Sequence, residues 1–207
     1  MPYDVARKTL DRYKIRNVET ATIASGDDAV KFWGSRGMIV MKVISDKALH
    51  KSKSGLVALY LANPKQIRDA FSLLTKRASK LKLGKYKVVA QRMILGGTEI
   101  IVGGNTDSQF GKMVLLGLGG IYVEAFKDFA LRICPINKDT AFSMIDQLKS
   151  SNVIAHDTKS REMIASLLLK ASKLFAENDF TEMDLNPIIL HDGTYDAVDL
   201  RLLSNER

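Results

Sequence analysis

The sequence predicts a fold that mixes helices with many short strands, in a small N-terminal lobe to about residue 90 and a larger lobe over 91–207. Three observations carry this reading. Asn63-Pro64 is a strong helix start, with Asn63 as cap and Pro64 in the first helical position. Between Tyr86 and Ile136, short apolar runs alternate with Gly, Asp and Asn, as a series of strands would. Asp192-Gly193 lies between two alternating runs, which is the signature of a two-residue hairpin turn.

The elements follow in order. Residues 4–14 form a helix, and Ser25 or Asp27 caps a second short one that ends at Trp33. Gly37 opens the strand MIVMKVIS; a polar stretch, DKALHKSKSG, leads to the strand LVALYLA. The helix opened by Asn63 runs to about Leu83. YKVVAQRMI, TEIIVGG, KMVLLGLGG, IYVEAF and FALRICPI are the strands of the middle stretch. Asn137 caps a helix over 138–148, and a longer helix fits 158–177, where Ile164, Leu167, Leu168, Ala171, Leu174 and Phe175 fall on one stripe. TEMDLNPIIL and YDAVDLRLL form the closing hairpin.

Hydrophobic residues make up 46% of the 207, enough for a packed core and against wholesale disorder. No apolar run has the length of a membrane span, and the N-terminus lacks an apolar signal core, so the expected location is the cytoplasm. The single Cys134 excludes an internal disulfide and reads as a buried thiol. The net charge is +8. Its densest basic stretch, Lys65 to Lys87, lies mostly on a helix with no interleaved aromatic platform, which favours a solvated helix face over a nucleic-acid surface.

The hairpin holds the sharpest residue-level signal. With the turn at Asp192-Gly193, His191 faces Thr194, Asn186 faces Asp199, and Asp184 faces Arg201. Met183, Leu185 and Pro187 then share an apolar face with Val198, Leu200 and Leu202. Pro187 requires an edge position or a bulge. The polar face gathers Glu182, Asp184, Asn186 and Asp199, oxygen donors that suit magnesium with phosphate and water as its remaining ligands. A plain solvent-facing strand with an Asp184–Arg201 ion pair fits the same pattern.

Charges also interrupt apolar strands at Lys42, Glu99 and Arg132. Each must reach solvent, pair, or hold an ion, because an unpaired buried charge is costly. Each by itself reads as an edge-strand residue, but together with the hairpin carboxylates they outline a polar cleft. Gly117-Leu118-Gly119-Gly120 follows a strand and could wrap a phosphate with backbone N–H groups. Neither a dinucleotide fingerprint nor a Walker motif is present.

The run MKVISDKALHKSKSGLV resembles the first lobe of ATP-grasp subunits of ADP-forming acetate–CoA ligases. VVAQRMILGGTEIIVGGNTDSQFGKMVLLGLGGIYVE resembles the central stretch of that family, and EMDLNPIIL with YDAVDLR its closing hairpin, shared in outline with the succinyl-CoA synthetase β subunit. The resemblance implies an α+β fold, the ATP-grasp fold, in which two lobes clasp a nucleotide. It implies that Lys42 contacts phosphates, that Gln91, Arg92 and Met93 run beside adenine, and that Glu99 lies near ribose or metal. Gly119 and Gly120 would lie close to the phosphates, and Asn186 and Asp199 would ligate Mg2+. The implied reaction converts acyl-CoA, ADP and phosphate to acid, CoA and ATP through phosphohistidine, with a CoA-binding α subunit as partner. By composition His50 is an exposed loop residue; by the resemblance it is a phosphorylated catalytic histidine. His191 reads as an exposed turn residue, and His156 receives no role. The chain departs from the family at Lys53, where an acidic residue is usual, at Leu56, and in NVIAHDTKS. Two other functions remain open at this point: a ligase of the same fold using an acyl phosphate directly, for which His50 is dispensable, and a non-catalytic nucleotide-binding scaffold.

Overall fold

A computed structural model describes residues 1–34, 36–45, 55–120 and 128–204. In chain order the first elements are α1 (Tyr3–Arg12), β1 (Thr20–Ile23), α2 (Gly26–Trp33), β2 (Ile39–Ile44), β3 (Val57–Leu61), α3 (Pro64–Lys80) and β4 (Lys87–Arg92). There follow β5 (Thr98–Asp107), β6 (Gly111–Leu118), β7 (Phe129–Ile133), α4 (Lys138–Gln147), α5 (Ser151–Ile154) and α6 (Thr158–Glu177). The chain closes with β8 (Phe180–His191), β9 (Thr194–Ala197) and β10 (Leu200–Ser204). Contacts divide it into two compact units, Val18–Leu95, and Met1–Asn17 together with Gly96–Arg207. The N-terminal helix, expected in the first lobe, packs with the second.

The Val18–Leu95 unit is an antiparallel sheet in the order β1-β4-β2-β3, covered on one face by α2 and α3. Local chemistry starts both helices. The Ser25 hydroxyl accepts from the Asp28 N–H at 3.0 Å, and the Asn63 side chain accepts from the Gln66 N–H at 3.0 Å. Ile67, Ala70, Leu74 and Ala78 recur at helical spacing and bury against Ile39, Met41, Val43, Val88 and Ala90. Strand alternation then sends Val40, Lys42, Val89 and Gln91 to the other face.

The second unit is a six-stranded antiparallel sheet in the order β10-β8-β5-β6-β7, with β9 also paired to β8. One face joins α1, α4 and α6 in a single apolar core containing Leu10, Met144, Leu167, Leu168 and Phe175, with Ile100, Val102, Leu116 and Leu185 from the strands. Truncating a side chain such as Phe175 to alanine would cost about 3–5 kcal/mol. Asn137 caps α4 through the Thr140 N–H at 2.8 Å, and Asp157 caps α6 through the Ser160 N–H at 2.7 Å. The short helix α5 has no apolar periodicity to announce it. Asp128 holds its start, accepting from the Lys149 and Ser150 N–H groups at 2.8 and 2.9 Å. The segment IYVEAF, expected as a strand, lies outside the described residues.

The closing hairpin keeps one register from the turn to Leu203. His191 pairs with Thr194, Leu190 with Tyr195, Leu185 with Leu200, and Arg201 with Asp184. Asp192 and Gly193 have φ of 46° and 68°, the left-handed pair that a two-residue hairpin turn requires. Pro187 meets its constraint on the β5 side of β8. Ile100 pairs with Ile188 while Val102 pairs with Leu185, so two residues of β8 bulge opposite one of β5.

Candidate functional site

The candidate residues fall in both units. In Val18–Leu95, Lys42 lies mid-way along β2, an inner strand, between Val57 and Val89, and is only 6% exposed. Gln91 occupies the same face of the neighbouring strand, one diagonal step away, and is also buried. The Thr20 hydroxyl donates to the Val18 carbonyl at 2.8 Å and accepts from Gln91 Nε2 at 3.1 Å. With its only proton committed, Thr20 fixes which end of the Gln91 amide faces it. The Arg92 N–H donates to the Glu19 carbonyl at 3.1 Å and the Met93 N–H to the Met38 carbonyl at 3.0 Å. The Glu19 carboxylate bonds Arg36 at 2.6 Å; that bond, with Arg36 and Arg92 as nearby cations, holds its pKa below the ordinary range.

In the second unit, strand alternation places Glu99, Gly119, Asp184, Asn186 and Asp199 on the sheet face opposite the helices, hereafter the outer face. Glu99 and Gly119 continue the β5–β6 ladder: the Gly119 N–H donates to the Glu99 carbonyl at 2.7 Å. A Cβ on Gly119 would lie 2.8 Å from the Glu99 carbonyl carbon, so only glycine permits this approach. The next residue, Gly120, is exposed at φ 74°, and a Cβ there would come within 3.4 Å of Glu99 Oε2. The two glycines and the carboxylate that sequence placed apart are therefore contiguous.

Asn186 and Asp199 stand opposite one another, the Asn186 N–H donating to the Asp199 carbonyl at 3.2 Å. Asp199 Oδ1 accepts from the Leu200 N–H at 3.1 Å. Along the same outer face, Arg201 pairs with Glu182 at 3.7 Å. Among the described residues no group of three His, Cys, Asp or Glu could hold a metal. One carboxylate and one amide oxygen do not make a protein cage, but they suit magnesium, which keeps water and takes phosphate oxygens.

Other candidates resolve differently. His50 lies outside the described residues. Arg132 is on β7, the end strand, bonding the Leu131 carbonyl, Gln147 and Ser143, as an edge residue would. His191 is not the exposed turn residue expected from sequence. Its side chain is 12% exposed, with Nε2 2.9 Å from the buried Asp196 carboxylate, whose other oxygen accepts from Arg16 Nε at 2.9 Å. No local sequence signal marks this cluster, because Arg16 comes from the far end of the chain. The half-buried Cys134 thiol has its pKa raised by burial, which argues against a nucleophile. No helix among the described residues is long and apolar enough to cross a membrane.

A family model for the ATP-grasp domain matches residues 3–203. The β subunit of ADP-forming acetate–CoA ligase I from Pyrococcus furiosus is 34% identical over 206 residues, covering 96% of this chain and 89% of that one. The ADP-forming acetate–CoA ligase I of Archaeoglobus fulgidus is 34% identical over 174 residues, which are 81% of this chain but 25% of that longer one. Among solved structures, acetyl-coenzyme A synthetase 1 of Ca. Korarchaeum cryptofilum, in complex with coenzyme A and Ca-AMPCP, superposes with a TM-score of 0.88 at 29% identity, covering 97% of this chain and 91% of that one. The same protein with Mg-AMPPCP, its phosphohistidine segment pointing towards the nucleotide binding site, gives 0.82 at 28% identity, covering 99% and 92%.

Proposed function

We propose a function from the fact that this chain belongs to the ATP-grasp family and, within it, to the β subunits of ADP-forming acyl-CoA synthetases. It is the nucleotide-binding subunit of such a synthetase, working in the cytoplasm with a CoA-binding α subunit that is a separate chain or a homologous fused domain. The complex turns acyl-CoA, ADP and phosphate into acid, CoA and ATP. In the partner, phosphate displaces CoA from the acyl group, and the resulting acyl phosphate passes its phosphoryl group to histidine, releasing the acid. The phosphoryl group then passes to His50 of this chain, as the partner's N–P bond breaks and a new one forms; an oxygen of the ADP β-phosphate attacks that phosphorus, the bond to His50 breaks, and ATP forms. The relative with its phosphohistidine segment aimed at its nucleotide site supports this order of events.

Each residue has a role the reaction needs. The ammonium of Lys42, on its inner strand, offsets phosphate charge. Gln91, Arg92 and Met93 run beside the base. Because the Arg92 and Met93 N–H groups already serve backbone carbonyls, the base meets other groups of this segment. Glu99 lies near the ribose or the metal, and Gly119 and Gly120 let phosphate approach the backbone beside it. Asn186 and Asp199 would hold magnesium, which would offset the charge of the nucleotide phosphates. His50 accepts the phosphoryl group on its way between the two sites, in keeping with the family resemblance; its imidazole is a competent nucleophile at neutral pH.

The observation that carries this reading is the hairpin register, which sets Asn186 opposite Asp199 on the sheet face that also bears Glu99 and Gly119. The test is reconstitution. The purified chain should bind Mg-ADP, show no acyl-CoA-dependent ATP synthesis, and gain it when the CoA-binding subunit is added. Given ATP and magnesium, the complex should carry an acid-labile phosphate on this chain that His50→Ala removes. Turnover by this chain alone sinks the two-subunit reading, and a fully active His50→Ala complex returns His50 to an ordinary loop residue.

A further inference from the structure

Among the described residues, the outer face of the six-stranded sheet has its charged and amide side chains on one half. Its β5–β8–β10 half carries Glu99, Asp184, Asn186 and Asp199. Its β6–β7 half carries Met113, Leu115, Phe129, Leu131 and Ile133, in facing pairs Met113–Ile133 and Leu115–Leu131. Phe129 and Leu131 are each 40% exposed and Ile133 is 56% exposed; Phe110, at 59%, stands beside them. A cleft of about 720 Å³, lined in part by Phe110, Met113, Leu131 and Ile133, opens against this stripe. Large contiguous apolar exposure of this kind marks a contact with another molecule, whereas single exposed apolar residues need no explanation.

We infer that this apolar half-face is the docking seat of the CoA-binding polypeptide. The inference rests on the function proposed above and adds where the partner binds. Three observations select that occupant. First, in the longer Archaeoglobus fulgidus relative the matching segment is only 25% of the chain, so there this domain is held covalently beside a much larger body of protein. Second, the apolar half is continuous with the nucleotide half on one sheet face. Phe129 pairs with Gly117, Gly117 with Ile101, and Ile101 lies opposite the β8 bulge that carries Asn186. Three strand spacings, about 15 Å, separate Phe129 from Asn186. A partner seated on the stripe is within reach to extend a phosphohistidine segment to the phosphates. Gly117, between the two halves, has no side chain to obstruct that path. Third, Arg132 bonds the Leu131 carbonyl and leans on Ser143 and Gln147, so its guanidinium guards the β7 edge against strand addition. The partner therefore meets the face and does not extend the sheet.

The experiment uses the full chain and its cognate CoA-binding subunit, taken as the polypeptide of the same genome that matches the remaining three quarters of the longer relative. Leu131→Asp and, as a second variant on a more exposed position, Ile133→Lys are compared with Leu73→Asp, an exposed control on α3. Partner affinity, Mg-ADP affinity and thermal stability are measured for each. Leu131→Asp and Ile133→Lys should each weaken partner binding at least 100-fold while leaving the Mg-ADP Kd within twofold; Leu73→Asp should change neither. Unchanged partner affinity in both variants overturns the inference. So does a wild-type homodimer that Leu131→Asp converts to monomer with partner affinity intact, which would make a second copy the occupant. A wild-type chain that binds Mg-ADP but not the cognate subunit removes the docking seat and leaves nucleotide binding standing, whereas loss of Mg-ADP binding by the wild-type chain would fell the proposed function itself.

Discussion

Asn186 and Asp199 face each other across β8 and β10, joined by an N–H to carbonyl bond of 3.2 Å, although twelve residues and a hairpin turn separate them in sequence. Their side chains share the outer face because the register set at Asp192-Gly193 does not slip before them. If they ligate magnesium, Asp199→Ala should weaken Mg-nucleotide binding by at least about tenfold, in line with the loss of a charged metal ligand. Binding of metal-free nucleotide should change far less. Calorimetric titration with and without magnesium separates the two; equal losses would make the pair structural.

Lys42→Met retains length and apolar packing on β2 and removes one charge. If Lys42 neutralises phosphate, ADP and ATP affinity should fall by about 10- to 100-fold, the range for loss of a hydrogen bond to a charged group. Thermal denaturation should show a fold of near wild-type stability. Retained nucleotide affinity would leave Lys42 without a role in binding.

Gly119→Ala places a methyl group 2.8 Å from the Glu99 carbonyl carbon. The neighbour is backbone, which cannot swing aside, so the β5–β6 ladder must part locally. Overpacking of this kind costs about 1–3 kcal/mol. Denaturant unfolding should register that loss, and nucleotide affinity should drop with it because Glu99 is displaced. A variant as stable as wild type, with unchanged affinity, would show that the strand end yields freely.

Asp128 accepts two backbone N–H bonds at the start of α5. Burial pushes its pKa up, but hydrogen bonds from Ser150 and the Lys149 N–H, with the Lys149 charge, outweigh it and leave the carboxyl below the ordinary Asp range. Its stabilising contribution is therefore complete above the unfolded value, about 4, and is lost as pH falls through the lower folded value. Asp128→Asn should destabilise the protein by about 1–3 kcal/mol at pH 7. The gap from wild type should narrow under acid, which denaturant melts at pH 7 and pH 3 would reveal; a gap that stays constant would count against ionisation as the cause.

Sequence by itself determined the elements whose signals are local. The caps Ser25, Asn63 and Asn137 stand where their side chains bond the first helical turn, and α6 runs over the residues its apolar spacing marks. The hairpin register also follows from sequence, since strand alternation and a two-residue turn together admit one pairing of its polar and apolar faces. The resemblance named the family from the order of its motifs, with no single motif sufficient.

Only the tertiary structure decided the long-range matters. It joined α1 to the second unit, set Gly119 against Glu99, and brought His191 and Arg16 onto the buried Asp196 carboxylate. It also brought Phe129, Leu131 and Ile133 onto the sheet face that carries Asn186. Each of these depends on which strands become neighbours. That choice is made by packing the whole apolar surface at once, so no window of sequence holds it.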